Sequence, residues 1–218
     1  MDKMLVTVDI VLFTVEHETL KVLLVQRKFE PWKDLMVIPG GFVRLDEDLE
    51  KAAKRELFEE TGVNNIYMEQ LYTFGNPQRD PRGRVITVTY YSLIDSTKIK
   101  LKASTDAKNA KWFPISKVSK LGFDHNLILD YAIKRLRNKL NYTTIAFQLL
   151  PQLFTLTELQ KLYEIILDRK LDKRNFRKKL LSLDILDETR ESKMEGAHRP
   201  AKLYKFKKKS LVFGRDIV

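Results

Sequence analysis

Residues 41–63 read GFVRLDEDLEKAAKRELFEETGV, and this stretch decides what the chain can be. Glu56, Glu59 and Glu60 stand at i, i+3 and i+4, so on a helix they share about 100° of arc. Leu49, Ala52 and Ala53 continue the same stripe over the preceding turns. Small and apolar residues in that pattern face a sheet, so the carboxylates emerge at the end of the inward face, at a cleft. Three carboxylates so close repel one another unless a divalent cation lies among them. All-oxygen donors of this kind suit Mg2+ or Mn2+. The helix is predicted over 48–61, with Gly62 as its stop.

Working outward, strands are predicted over 5–15 and 20–26, with a turn at 17–19 between them. A short apolar strand at 35–38 runs into Pro39, Gly40 and Gly41. Further strands are predicted at 66–74, 85–94 and 110–113. A helix over 125–140 follows, with Leu127, Leu129, Ala132, Ile133, Leu136 and Leu140 available for its buried face. Strands mixed with helices laid against them give an α+β class. The polar stretch 137–144 marks the boundary between a first domain, 1–142, and a second, 143–218.

The second domain is mostly helical. Thr155 and Glu158 match a capping box that opens a helix reaching 168. Asp172 caps another helix through 181, and 185–189 with 203–206 form a hairpin around Gly196. Helix, turn, basic helix and hairpin are the plan of a winged helix-turn-helix. Lys173, Arg174, Arg177 and Lys178 crowd the second helix, while Phe176, Leu180 and Leu181 are available to anchor its other side. A recognition helix needs that division, and Arg199, Lys202 and Lys205 add charge where a wing would be. Charge agrees: of the whole chain's +11, residues 143–218 hold 17 Lys and Arg against 10 Asp and Glu. The asymmetry points to a polyanion partner or to a solubilising surface, and with the winged-helix plan the polyanion expected is double-stranded DNA.

The 218 residues suffice for two modest cores, and the chain has no cysteine, which excludes disulfides and Cys-ligated zinc. No apolar run approaches the roughly 18 residues of a membrane helix. The opening MDKMLVTVDIVLF lacks the layout of a secretory signal, so a cytoplasmic protein without a membrane partner is expected. His17, His125 and His198 have no ligand-spaced partners, and no zinc site is expected from them.

Glycine 41, Glu47, the Arg55-Glu56 pair, Leu57, Glu59-Glu60, Gly62 and Val63 together resemble the Nudix box at every defined position. The resemblance implies a Nudix α/β/α sandwich with a mixed sheet. It also implies that Glu56, Glu59 and Glu60 bind Mg2+ or Mn2+, with Gly41 in the loop beside the metal. Arg55 would orient a glutamate through a charge-assisted hydrogen bond, and Glu47 would support the loop–helix junction. The general base is a box glutamate, Glu56 being preferred, or an aspartate such as Asp106 or Asp80. The run QRDPRGR at 78–84 resembles a loop of ADP-ribose pyrophosphatases, and it makes Arg79, Asp80, Arg82 and Arg84 substrate-binding candidates. Residues 149–206 resemble the C-terminal winged helix of Nudix-related transcriptional regulators. Two functions are therefore implied. One is Mg-dependent hydrolysis of the pyrophosphate of ADP-ribose or a similar nucleoside diphosphate derivative. The alternative is a metabolite-responsive regulator that binds DNA as a homodimer.

Overall fold

The computed structural model describes residues 4–99, 101, 107–194 and 200–208; Asp106, His198 and Arg199 lie outside the described residues. The chain forms two compact units that divide near Ile133. No described helix is long and apolar enough to cross a membrane.

The first unit is built on β1 (Leu5–Glu16), which lies parallel to β6 (Val85–Leu93), Leu5 opposite Val85 and Phe13 opposite Leu93. Every residue of β1 from Thr7 to Thr14 is buried. A parallel pair covered on both faces reads as a continuous apolar run, which is why β1 alternates only loosely in the sequence. Its even-numbered residues Val8, Ile10 and Leu12 pack with Leu23, Ala52, Ala53 and Leu57. Asp9 points to the opposite face because side chains alternate along a strand. The order is β3 (Met36–Val37), β2 (Thr19–Arg27), β1, β6 and β5 (Glu69–Phe74), with β4 (Gly40–Phe42) against β1 and β7 (Ala107–Pro114) against β2.

The single strand predicted at 35–38 is two short ones, β3 (Met36–Val37) and β4, separated by Ile38 and Pro39. Proline has no N–H to give a ladder, and its carbonyl instead accepts from Ile10 N at 2.8 Å. Strand β5 (Glu69–Phe74) starts later than predicted, since Ile66 and Met68 reach the core without pairing.

Helix α1 (Leu49–Thr61) is capped by the Asp48 side chain, which accepts from Lys51 N. It ends at Gly62, whose φ of 76° is left-handed and whose N–H returns to Phe58 O. Helix α2 (His125–Tyr142) buries Ile128, Leu129, Ala132, Leu136 and Leu140. Leu127, predicted for that face, is 58% exposed because the buried stripe runs through Ile128 instead.

The second unit holds α3 (Leu156–Leu167), α4 (Lys173–Ser182) and the antiparallel hairpin of β8 (Leu186–Lys193) and β9 (Ala201–Phe206). Phe154 bridges Tyr204 and stacks near Phe206, with centroids 5.0 Å apart. Helices α3 and α4 meet through Tyr163 and Phe176, edge to face at 5.3 Å. Leu180 is buried with them, but Leu181, predicted as a third anchor, is 50% exposed one residue past that stripe. The capping box is present in full: Thr155 Oγ1 accepts from Glu158 N, and Glu158 accepts from Thr155 N. Replacing Thr155 with Ala should destabilise this unit by about 1 kcal/mol, while Thr155→Ser keeps most of the cap. Urea unfolding followed by circular dichroism would check both; an unshifted midpoint in Thr155→Ala means the cap contributes nothing.

Candidate active site and nucleic-acid interface

Two adjacent glycines bring the end of α1 onto β4. Gly40 N donates to Glu60 Oε2 at 2.9 Å. A Cβ on Gly41 would lie 2.5 Å from the Glu56 carboxyl carbon, so a side chain there would displace that carboxylate. Glu56 and Glu60 therefore flank one strand end, while Glu59 turns outward to Arg44 at 3.3 Å and Arg55 at 3.1 Å.

Arg55 is the organiser. Its guanidinium donates to both oxygens of Glu47, to Glu56 at 2.6 Å and to the Phe42 carbonyl at 3.1 Å. The hydrogen bond from Arg55 drives the Glu47 carboxyl down to about 2. Glu47 also accepts from Arg44 N, which closes the loop leading into α1. Among the described residues Glu60 pairs with no cation directly, and Arg27 lowers its carboxyl only through space. Burial pushes its carboxyl up to about 8, with Glu56 and Asp9 adding to the rise and the Gly40 N–H offsetting part of it. Burial likewise raises Glu56, against the pull of Arg55.

Among the described residues, no three His, Asp or Glu side chains stand ready to enclose a metal ion. The donors nevertheless fit one: they are all oxygen, and the raised carboxyls mark surplus negative charge that a divalent cation would relieve. Glu56 and Glu60 would hold it, and Glu59 would join by leaving its arginines.

The cleft beside these carboxylates encloses about 90 Å³ and is lined by Asp9, Arg27, Phe42, Glu60, Arg82 and His125 among others. Its floor is a buried polar network absent from the sequence reading. Asp9 accepts from Thr87 Oγ1 at 2.6 Å and lies 3.6 Å from both Arg79 and His125. Arg79 grips Asp124 with two hydrogen bonds, at 3.0 and 2.8 Å. His125 accepts from Ile38 N through Nδ1 at 2.9 Å, which leaves its proton on Nε2, facing Asp9. Burial holds its pKa below the ordinary value despite Asp9 and Asp124. A lone aspartate inside the apolar run LVTVDIVLF was the signal that could have found this floor.

The predicted substrate loop divides by role. Arg79 is buried in the floor, and Arg84 donates to Gly75 O at 2.6 Å. Asp80, also buried, accepts from Arg82 N, Nε and Nη2. Only Arg82 of the three arginines lines the cleft as a partly exposed group.

On α4, Lys173, Arg174, Lys178 and Lys179 are exposed and, among the described residues, form no ion pair. Arg177 differs: it is partly buried and donates to Thr157 Oγ1 at 2.9 Å. The wing lysines are paired, Lys202 with Glu188 and Lys193 with Glu158.

Residues 3–133 match the NUDIX domain family, and residues 146–206 match the NrtR DNA-binding winged helix domain. The chain is 42% identical over 206 residues to the ADPR responsive transcriptional repressor NtrR of Acinetobacter baylyi, covering 93% of this chain and 82% of that one. Over 112 residues it is 42% identical to an ADP-ribose pyrophosphatase of Methanocaldococcus jannaschii, covering 51% of this chain and 65% of that one. Among solved structures it resembles Shewanella oneidensis NrtR complexed with a 27mer DNA, with 37% identity, TM-score 0.77 and 93% of each chain covered.

The raised Glu60 carboxyl has a measurable consequence. Folding favours its protonated form, so this group's contribution is intact below about 4.5 and is lost as pH rises towards about 8. In EDTA at pH 8, Glu60→Gln should melt higher than the parent protein by several degrees, on the order of a few kcal/mol of relief. At pH 5 the two should melt together. Higher melting of the variant at both pH values would reject the assignment.

Proposed function

The chain belongs to the NUDIX family and carries an NrtR-type winged helix in the same polypeptide, and on that premise we propose that it is a DNA-binding regulator responsive to ADP-ribose or a similar nucleoside diphosphate derivative. The observation that carries this reading is the set of four exposed cations on α4 that form no ion pair among the described residues, in a chain that also holds a carboxylate-lined cleft. The name of the Acinetobacter baylyi relative, which the chain matches over most of its length, supports the same pairing of roles. Lys173, Arg174, Lys178 and Lys179 face the phosphates, and Arg177 positions α4 against α3 through Thr157. A homodimer acting in the cytoplasm fits this role.

The intact Glu56, Glu59 and Glu60 set favours a second activity in the same cleft: Mg-dependent hydrolysis of the ligand. Mg2+ or Mn2+, when bound, would neutralise the bridging phosphates and acidify a water. Arg55 fixes Glu56 in place while leaving its carboxyl raised by burial, a suitable poise for taking a proton from the attacking water. Water adds to phosphorus, the bridging P–O bond breaks, and ADP-ribose yields AMP and ribose 5-phosphate. Asp80 is a poor base, because its oxygens already accept from Arg82.

Two measurements test these readings separately. Binding to random-sequence duplex should weaken with salt at a slope of about −4 per protomer, since each of four phosphate contacts contributes about 0.9. Arg174→Ala or Lys178→Ala should flatten that slope by about 1 each. ADP-ribose should change DNA affinity, and DNA should change ADP-ribose affinity by the same factor. A flat salt response rejects the regulator. For turnover, Glu56→Gln should lower AMP release from ADP-ribose with Mg2+ by two or more orders of magnitude, about 3 kcal/mol; an unchanged rate rejects Glu56 as base or ligand.

A further inference from the structure

We propose that Asn175 reads an adenine in the major groove, so that α4 divides its exposed side chains between grip and sequence; the assignment rests on the DNA-binding reading above. Lys173, Arg174, Lys178 and Lys179 are exposed cations, which a phosphate backbone attracts whatever its sequence. Ser182 turns its hydroxyl back onto Lys179 O at 2.7 Å. Leu181 is half exposed but has no polar side-chain atom to offer. Asn175 remains. It is exposed, and its side-chain amide makes no hydrogen bond among the described residues.

The first turns of the two helices differ in a way that helix stability does not explain. In α3 the third residue is Glu158, which closes a capping box on Thr155. In α4 the cap is Asp172 and the third residue is Asn175. Its backbone N–H donates to Asp172 Oδ1 at 2.8 Å, but its side chain does not return to the cap. The first turn of α4 holds no acidic residue, and Lys173 and Arg174 stand where the helix dipole favours negative charge. Asparagine is also a weaker helix former than the glutamate or glutamine that suit its position. A turn built against its own stability in this way fits a polyanion, which supplies the missing negative charge.

The amide selects the base. In the major groove adenine offers an acceptor, N7, beside a donor, the N6 amino group, and a primary amide offers the matching donor and acceptor in one plane. Guanine offers two acceptors there, so its O6 would face Oδ1. Lysine and arginine carry donors only and cannot accept from N6. Lys178 and Lys179 follow Asn175 at i+3 and i+4, so cations share its face of α4 and hold the backbone beside the base. The neighbouring Phe176 is buried edge to face on Tyr163, with centroids 5.3 Å apart, and Arg177 donates to Thr157 Oγ1 at 2.9 Å. These two contacts fix α4 on α3 and place the amide before DNA arrives. The N-terminal residues of a recognition helix are the ones that reach base edges, and Asn175 is among them.

The test selects preferred duplexes from a random-sequence library, once with the full chain and once with its Asn175→Ala variant. Adenines in the parent's preferred duplex are then replaced singly by 7-deazaadenine, which lacks the N7 acceptor. At the adenine that Asn175 reads, the replacement should weaken the parent roughly five- to a hundredfold and Asn175→Ala by no more than about twofold. The variant should lose the preference for adenine at that position and keep the parent's salt slope, since its phosphate contacts are intact. A parent without any adenine preference, a preference that the variant shares, or equal losses in parent and variant at every replaced adenine overturns the assignment and leaves the regulator reading standing. A parent whose duplex binding ignores salt fails one step earlier, and both readings fall together.

Discussion

The close approach of a strand backbone to the end of a helix underlies everything else in the first unit. Gly40 and Gly41 let β4 pass between β1 and the last turns of α1, close enough for a peptide N–H to meet one glutamate and for the other to press on a bare Cα. The rest follows from that distance. Two carboxylates are forced together in a half-dry corner, their charge is left partly unbalanced, and a cation becomes the cheapest way to settle it. Arg55 and Glu47 keep the approach from relaxing by tying the helix face to the loop that precedes it.

The floor of the cleft obeys the same economy of charge with different means. Asp9, Arg79, Asp124 and His125 are all largely buried, and each has at least one opposite or hydrogen-bonding partner. Arg79 balances two aspartates, while His125 stays neutral and serves as an acceptor for the chain just before the glycines. Removing any one of them would strand another in a low-dielectric site, which is far more damaging than losing a surface pair. The floor thus fixes the glycine strand from below, as Arg55 fixes it from above.

What was legible in the sequence was local. The Asp48 and Gly62 caps, the Thr155–Glu158 box and the basic helix depend on spacings of a few residues, and each stands where those spacings put it. The carboxylate stripe holds for Glu56 and Glu60, whereas Glu59, expected beside them, turns outward to Arg44 and Arg55. Fold class followed from the same periodicities. The floor was not legible, because Asp9, Arg79, Asp124 and His125 converge from separate strands and loops. No spacing rule relates a residue in the first strand to one at the start of the second helix. The arginine loop shows the limit of reading charge alone: three arginines in one run serve three different ends, one a buried counter-ion to Asp124, one a partner of Asp80 at the cleft and one a loop brace.

The two glycines differ in what a side chain would strike, and that difference sets an order of loss under drift. A Cβ on Gly41 meets the far end of the Glu56 side chain, whereas one on Gly40 meets the Val8 carbonyl oxygen at 2.2 Å. Where Glu56 is shortened, Gly41 can be replaced with it as a linked pair. Gly40 has no such release, since its neighbour is main chain. Under drift Gly40 is therefore the later of the two to go, whatever becomes of the carboxylates.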